Sequence, residues 1–189
     1  MKGPVMRIEP LEPPYEPAVE QQLTAMVPPG VPPIALFRTF VRNLPMTRAM
    51  HGWGSYALSR DLSLSMRDRE IVIDRTCARC GCEYEWGVHV AFFAERVGLD
   101  AAQLRSLTFG TADDTCWTER ERLLIEVVDA LHLDADVADP LWDRCAAVFT
   151  DQELLDLMLL CGWYHAVAFA ANAARVPCEV GAPRFEDLR

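Results

Sequence analysis

The sequence predicts an all-α protein, and three observations support that class. Apolar residues recur at helical spacing along most of the chain from residue 34 to residue 174. Residue pairs that typically start a helix precede several of these segments. No segment alternates apolar and polar residues before a Gly-rich turn, so sheets and phosphate-binding loops have no support. At 189 residues, 51% of them apolar, the chain fits one helical domain with a full core.

The N-terminal segment differs in composition from the rest of the chain. Residues 1–33 contain most of the 13 prolines. Proline fixes φ and lacks a backbone N–H, so it supports neither a helix interior nor a sheet ladder. We therefore expect an extended N-terminal arm over residues 1–33 and a helical domain over residues 34–189.

The helical domain is predicted to contain eight helices, and several of their ends carry recognisable signals. Their expected ranges are 34–43, 46–59, 66–79, 82–97, 101–107, 118–132, 138–149 and 151–174. The end signals are N-caps at Ser65 and Asp100, a stop at Gly98, and the capping-box pairs Thr118 with Glu121 and Thr150 with Glu153.

Charge and cysteine content narrow the possible partners and compartment. The formal net charge is −10 and Lys2 is the only lysine, so the chain lacks the basic stripe that a nucleic acid partner requires. The N-terminus has no apolar run of the kind found in export signals, which predicts a cytoplasmic protein. Seven cysteines, an odd number, favour reduced thiols over a disulfide framework.

One apolar segment, residues 154–174, is long enough to cross a membrane. Asp156, His165 and Asn172 interrupt it, so we interpret it as a buried helix and predict no membrane association. A helix that is apolar on nearly all sides needs neighbours all round it. The segment therefore predicts a homo-oligomer.

The most informative stretch is CARCGCEYEWGVH, residues 77–89. Gly81 separates two helical patterns, because glycine is costly inside a helix and favourable at a break. Cys82 should then lie in the first turn of the second helix. Unpaired N–H groups and the helix dipole stabilise an anion at that position, so we expect the pKa of the Cys82 thiol to be lowered.

Helical spacing brings ionisable side chains close to Cys82. Glu85 and His89 follow it at i+3 and i+7 and share its helix face. On the preceding helix, Glu70 and Cys77 share a face that the break at Gly81 can turn toward this one. Burying two ionisable groups beside a thiol is costly without a use, so the sequence predicts a functional cluster with Glu70 as its outer member.

A metal site is another interpretation of the motif. Cys77, Cys80 and Cys82 could bind zinc together with His89, but no second C-x-x-C pair exists and Cys80 and Cys82 point apart on a helix, so no metal is expected. The role of His165 is left open. Isolated cysteines and histidines on apolar helices are more often core residues, and this reading is given to Cys116, Cys145, Cys161, Cys178, His51 and His132.

The frame RDRE…GCEYEWGVHV…GL resembles the carboxymuconolactone decarboxylase-like family, which includes the alkylhydroperoxidase D (AhpD) enzymes. The family's peroxidase motif is a glutamate, a Cys-x-x-Cys pair that starts twelve residues later, and a histidine four residues after the second cysteine. Glu70, Cys82 and His89 match it. Glu85 stands in place of the second cysteine, and Tyr84 stands where the peroxidases often have a histidine. The resemblance implies an AhpD-like helical bundle and a trimer or a multiple of a trimer.

The resemblance implies two activities, neither of which requires a cofactor. In the peroxidase route, Cys82 attacks a hydroperoxide, Cys80 or Cys77 resolves the product, and an unknown dithiol reductant reopens the disulfide. In the acid–base route, Glu85 and His89 decarboxylate or isomerise a small lactone or keto acid, with Tyr84 as a possible proton donor. We expect the peroxidase route, because three cysteines surround the break. A third interpretation is a non-catalytic helical oligomer with a buried polar network.

Overall fold

The computed structural model describes residues 5–189, and within that range the chain forms nine α-helices and no β-strand. The helices are α1 (Pro17–Ala25), α2 (Ala35–Phe40), α3 (Leu44–Ala57), α4 (Met66–Arg79), α5 (Glu83–Phe93), α6 (Ala101–Phe109), α7 (Glu119–Asp134), α8 (Asp139–Ala146) and α9 (Asp151–Ala174). Two 3-10 turns occupy Val41–Asn43 and Phe185–Leu188. The all-α prediction is confirmed.

Helix α4 is the centre of the fold. It packs against α5, α6, α7 and α9, and each residue from Asp68 to Cys77 is buried. Five of those ten residues are charged, and a buried charge is costly unless it is paired. Arg75 Nη2 donates to Asp129 Oδ2 on α7 at 2.6 Å, and Arg120 on α7 pairs with Asp68 at 3.0 Å. Ion pairs therefore hold the central helix to its neighbours.

A tight turn joins α4 to α5. Gly81 adopts a φ of +59°, the left-handed conformation that glycine tolerates best. The Gly81 N–H donates to the Ala78 carbonyl at 3.0 Å and the Cys82 N–H donates to the Cys77 carbonyl at 2.8 Å. This pair of bonds is the Schellman motif, which ends α4. Because Cys82 is also the N-cap of α5, the two helices follow each other without a loop and lie side by side.

The predicted capping signals explain how well the helix bounds agree. The side chain of Ser65 accepts from the Asp68 N–H, and both capping-box pairs form at the starts of α7 and α9. The predicted ranges 66–79 and 151–174 match α4 and α9. The other helices, including the capped α6 and α7, differ from their predicted ranges by a few residues.

The N-terminal segment is extended only in part. Helix α1 forms inside the stretch predicted to be extended, because its Pro17 occupies the first helical turn, where proline is tolerated. The segment packs on the helical body: the Arg7 N–H donates to the Ala174 carbonyl at 3.0 Å and Leu23 is buried. Residues 1–4 of the predicted arm lie outside the described residues. The division into an arm and a domain at residue 33 stays a prediction.

Helix α9 has both a buried and an exposed apolar face. By length and composition alone it could cross a membrane, yet half of its most apolar window is buried inside the fold. Its outer face exposes Leu155, Leu159 and Phe169, each more than half accessible to solvent. Contiguous exposed apolar side chains favour a protein contact. We predict that this exposed face of α9 contacts a second copy of the chain in a homo-oligomer.

We expect light scattering at micromolar concentration to give a multiple of the chain mass of 21.3 kDa, with a trimer or a multiple of it implied by the family resemblance. Leu159→Glu should lower that mass, because it would place a charge in the interface that we predict on this face. Val180→Glu, at a fully exposed position of the C-terminal segment, is the control and should leave the mass unchanged. A wild-type mass of one chain would contradict the prediction.

Candidate active site

A buried ion pair joins the first turns of α4 to the last turns of α5. Glu70 on α4 is fully buried, and its Oε2 lies 2.8 Å from Nδ1 of His89, which is 4% exposed. The other carboxylate oxygen, Oε1, accepts from Arg69 Nε at 2.7 Å. The predicted approach of Glu70 to His89 across the Gly81 turn is therefore present in the structure.

The second ring nitrogen of His89 faces two further groups. Its Nε2 lies 3.1 Å from the hydroxyl of Tyr164 on α9 and 3.6 Å from Oε1 of Glu85, one turn earlier on α5. Glu85 is also buried, and within the described chain its Oε2 has no hydrogen-bond partner. One carboxylate oxygen beside the imidazole is thus not used by any hydrogen bond within the described residues.

The two carboxylates determine the charge of His89. Burial disfavours the imidazolium, but the charges and hydrogen bonds of Glu70 and Glu85 outweigh it and raise the pKa of His89 to about 10. At neutral pH the ring therefore carries a proton on both nitrogens. Nδ1 donates to Glu70, and the Nε2 proton points toward Tyr164 and Glu85.

Two neighbours of the cluster have pKa values shifted toward their neutral forms. Burial and the nearby Glu70 carboxylate raise the pKa of Asp74 well above its ordinary value, and within the described residues its Oδ1 has no partner. Burial, with Glu85 and Glu70, also raises the pKa of Tyr164. The cluster therefore contains a cationic imidazole held between carboxylates, with the uncharged Tyr164 hydroxyl beside it.

The thiol of Cys82 differs from its predicted state. Cys82 lies at the N-cap of α5, as the sequence indicated, but its side chain is 0% exposed. Burial is the larger effect, and it raises the pKa of Cys82 to about 12 despite a hydrogen bond from the Glu85 backbone. The prediction of a lowered pKa at this position is wrong, because burial and the neighbouring Glu85 carboxylate outweigh the helix N-terminus.

The other two cysteines of the motif are also thiols at neutral pH. Burial raises the pKa of Cys77 well above its ordinary value and that of Cys80 to about 11. All seven cysteines are free. Cys80 is half-buried, and its sulfur lies beside ring nitrogens of His132 and His165.

Tyr84 is not placed to serve the cluster as a proton donor. Its hydroxyl donates to Glu179 Oε1 at 2.7 Å and accepts from the Leu36 N–H at 2.9 Å. These partners belong to the C-terminal segment and to α2. The expected role of Tyr84 as donor to Glu85 and His89 is therefore a wrong prediction, since its hydroxyl proton is already used in holding the C-terminal segment.

The structure supplies a different aromatic hydroxyl, which sequence reasoning missed. Tyr164 lies in the apolar helix α9 and is buried, as is Arg69 beside Glu70. A buried tyrosine hydroxyl usually finds a polar partner, and this was the available signal. Both ring nitrogens of His89 are hydrogen-bonded, one to Glu70 and the other to Tyr164. His89 is therefore not available as a fourth zinc ligand beside the three cysteines of the motif.

Comparison with known families confirms the resemblance seen in the sequence. Residues 46–130 match the model of the Carboxymuconolactone decarboxylase family. That range includes Glu70, Cys82, Glu85 and His89, whereas Tyr164 lies beyond it. No curated protein matches the chain in sequence.

Solved structures share the fold at low sequence identity. An uncharacterized peroxidase-related protein from Silicibacter sp. TM1040 is 13% identical, covers 100% of both chains and has a TM-score of 0.79. A putative antioxidant defence protein AhpD from Agrobacterium tumefaciens is 21% identical over 75% of this chain and 96% of its own, with a TM-score of 0.67. The debrominase Bmp8 is 15% identical over 92% of each chain, with a TM-score of 0.73. The chain therefore has the AhpD-like helical fold.

We expect His89 to remain protonated well above neutral pH. Its pKa is raised, so the imidazolium is present below about pH 10 and is lost as the pH rises through that value. Burial and the neighbouring His165 lower the pKa of His132, which should therefore be neutral at pH 7. Nitrogen chemical shifts of the four histidines, followed from pH 5 to pH 9, test this assignment. A His89 midpoint near its ordinary value of about 6.5 would contradict it.

Proposed function

From an AhpD-like fold and a family match over residues 46–130, we propose an enzyme that transfers protons to and from a small lactone or keto acid. The observation that best supports this proposal is that Glu85 lies beside the protonated His89 and has one carboxylate oxygen without a hydrogen-bond partner in the described chain. A base and an acid thereby face the same point, which is the arrangement that proton transfer at a carbonyl compound requires.

Glu85 is the proposed general base. Its Oε1 lies 3.6 Å from His89 Nε2, and its Oε2 is available within the described chain. In an isomerisation, Oε2 removes a proton from the carbon next to the substrate carbonyl. The electron pair left by that C–H bond moves into the carbonyl group to form an enolate, and Glu85 then returns the proton to a different carbon to give the isomer.

His89 is the proposed general acid. Its Nε2 proton points out of the Glu70 ion pair and is shared with the carbonyl oxygen as the enolate forms, and it returns to Nε2 when the carbonyl group is restored. In a decarboxylation, the carboxylate leaves as CO2, its bonding electrons form the enolate, and the same proton protonates the product. Either reaction runs without a change in oxidation state of the protein.

Glu70 and Tyr164 are positioning residues in this scheme. Glu70 accepts from Nδ1 at 2.8 Å and so fixes the ring orientation, as an orienting carboxylate does in other acid–base sites. The Tyr164 hydroxyl, 3.1 Å from Nε2, stabilises the ring on its other side. Loss of either group should alter the pH profile more than substrate binding.

The site is covered in a single chain, so substrate entry requires the movement of a side chain. Phe93 is half-buried, and its ring centroid lies 5.4 Å from that of His89 and 5.1 Å from the guanidinium of Arg69. A cavity of about 750 Å³ lies along a neighbouring face of α5, where Val88 and Phe92 line it, and does not include Glu85 or His89. We propose Phe93 as the covering group.

Thiol peroxidase activity is the second candidate, and the grouping of Cys77, Cys80 and Cys82 around one turn favours it. In that route the Cys82 thiolate sulfur attacks the peroxide oxygen, an alcohol leaves, and a second thiol displaces water from the sulfenic acid to form a disulfide. The raised pKa values of all three thiols weigh against it. Only a small fraction of Cys82 is a thiolate at neutral pH.

Glu85→Gln should separate the two functions. If proton transfer is the chemistry, this variant and His89→Gln should each lose about 10²–10⁴-fold in turnover of a lactone or keto acid, whereas Cys82→Ser should keep most of it. Turnover is measured by substrate absorbance and by CO2 release. Glu95→Gln, at an exposed position just after α5, is the matched control and should be neutral.

The opposite pattern would overturn the acid–base proposal. Hydroperoxide consumption that depends on Cys82 and on Cys77 or Cys80, tolerates Glu85→Gln, and leaves a disulfide within residues 77–82 would establish the peroxidase instead.

A further inference from the structure

A second group of ionisable side chains lies away from Glu70, Glu85 and His89. Cys80 ends α4, His132 lies in the last turns of α7, and His165 lies in the middle of α9. One ligand atom from each of these three residues lies within 4.8 Å of the other two. Within the described residues, a thiol and two imidazoles that take no part in the proposed reaction are thus close enough to bind one ion.

We propose that Cys80, His132 and His165 form a site for a zinc-type divalent metal ion. One sulfur and two imidazole nitrogens are ligands that Zn²⁺ prefers, and three protein ligands leave a fourth tetrahedral position for water. All three residues are half-buried, so solvent can reach that fourth position. The site does not depend on the proposed enzymatic function.

The hydrogen bonds of His165 prepare it as a ligand. Its Nδ1 lies 2.9 Å from the Cys161 carbonyl of its own helix, and a carbonyl only accepts, so Nδ1 carries the proton. Nε2 therefore holds a lone pair and points away from the helix. A backbone carbonyl that fixes the tautomer in this way is the usual second partner of a metal-bound histidine.

His132 supplies the second nitrogen at short range. Its Nδ1 lies 2.9 Å from Nε2 of His165, so the two lone pairs compete for one proton. A metal ion between them replaces that proton, and the His132 proton moves to its own Nε2. Binding then releases one proton in total, from the thiol of Cys80 as it becomes the thiolate ligand.

The surrounding helices hold the three residues in place. Asn172 Nδ2 on α9 donates to the Cys80 carbonyl at 2.9 Å and ties the end of α4 to α9. The nearest charged groups are Asp129 and the two guanidinium groups that pair with it, Arg75 at 2.6 Å and Arg79 at 3.4 Å, and they leave one net positive charge. The Cys80 thiolate therefore has to supply the negative charge that offsets this repulsion, and the hydrogen bond from Asn172 holds Cys80 in position to do so.

Cobalt provides a readout that does not depend on any activity. The full-length protein, reduced and freed of metal with a chelator, is titrated with Co²⁺ alone. We expect one ion per chain, with a thiolate-to-cobalt charge-transfer band and the strong visible bands of a tetrahedral site. Excess Zn²⁺ should bleach both.

Cys80→Ser should abolish the charge-transfer band. His132→Gln and His165→Gln should each weaken binding by more than the about 10–100-fold that loss of an outer-shell partner costs. Cys116→Ser and His51→Gln, a half-buried thiol and imidazole outside the group, are the matched controls and should bind as the wild type does.

Three results would overturn the metal site. They are a wild-type protein that takes up no stoichiometric Co²⁺ or Zn²⁺ at micromolar concentration, a charge-transfer band that persists in Cys80→Ser, and equal losses in the Cys116 and His51 controls. Because none of these readouts measures turnover, failure of the metal site and failure of the proposed acid–base function are distinguishable.

Discussion

The ion pair between Glu70 and His89 is the contact on which the rest of the site depends. It lies at the centre of the fold, where burial alone would neutralise the imidazole, and the 2.8 Å contact with Glu70 keeps it charged. The Schellman turn at Gly81 makes the pair possible, because it returns α5 along α4 with no intervening loop. Tyr164 and Glu85 then share the remaining ring nitrogen.

Glu85 changes the chemistry that is available to the site around His89 and Cys82. The family's peroxidase motif has a cysteine at that position, next to the histidine, whereas this chain has a carboxylate there. A carboxylate cannot form a disulfide, but it raises the pKa of His89 and, through proximity, that of the Cys82 thiol. This one position therefore keeps His89 protonated and disfavours a Cys82 thiolate in the same site, as the proposed proton transfer requires. The fold of the AhpD-like relatives is compatible with either.

Much of the fold and part of the site could be predicted from the sequence. Helices α4 and α9 were predicted with their observed bounds, because their N-caps are local interactions that sequence patterns report directly. The approach of Glu70 to His89 followed from helical spacing. The pKa of Cys82 and the partners of Tyr84 and Tyr164 depend instead on which segments cover each side chain, and that is decided by tertiary packing. Helix α1 was not predicted, because the high proline content of the N-terminal segment indicated extended chain, although Pro17 is tolerated in the first turn of this helix.

The most direct test of the account is a double-mutant cycle on Glu70→Gln and His89→Gln, measured by urea unfolding at pH 7. Each single variant removes one partner of a buried ion pair, so each should cost about 3–5 kcal/mol in the free energy of unfolding. The double variant removes both charges, and its cost should fall short of the sum by about 1–3 kcal/mol. Additive costs would show that the two side chains do not form a coupled ion pair and would contradict the account.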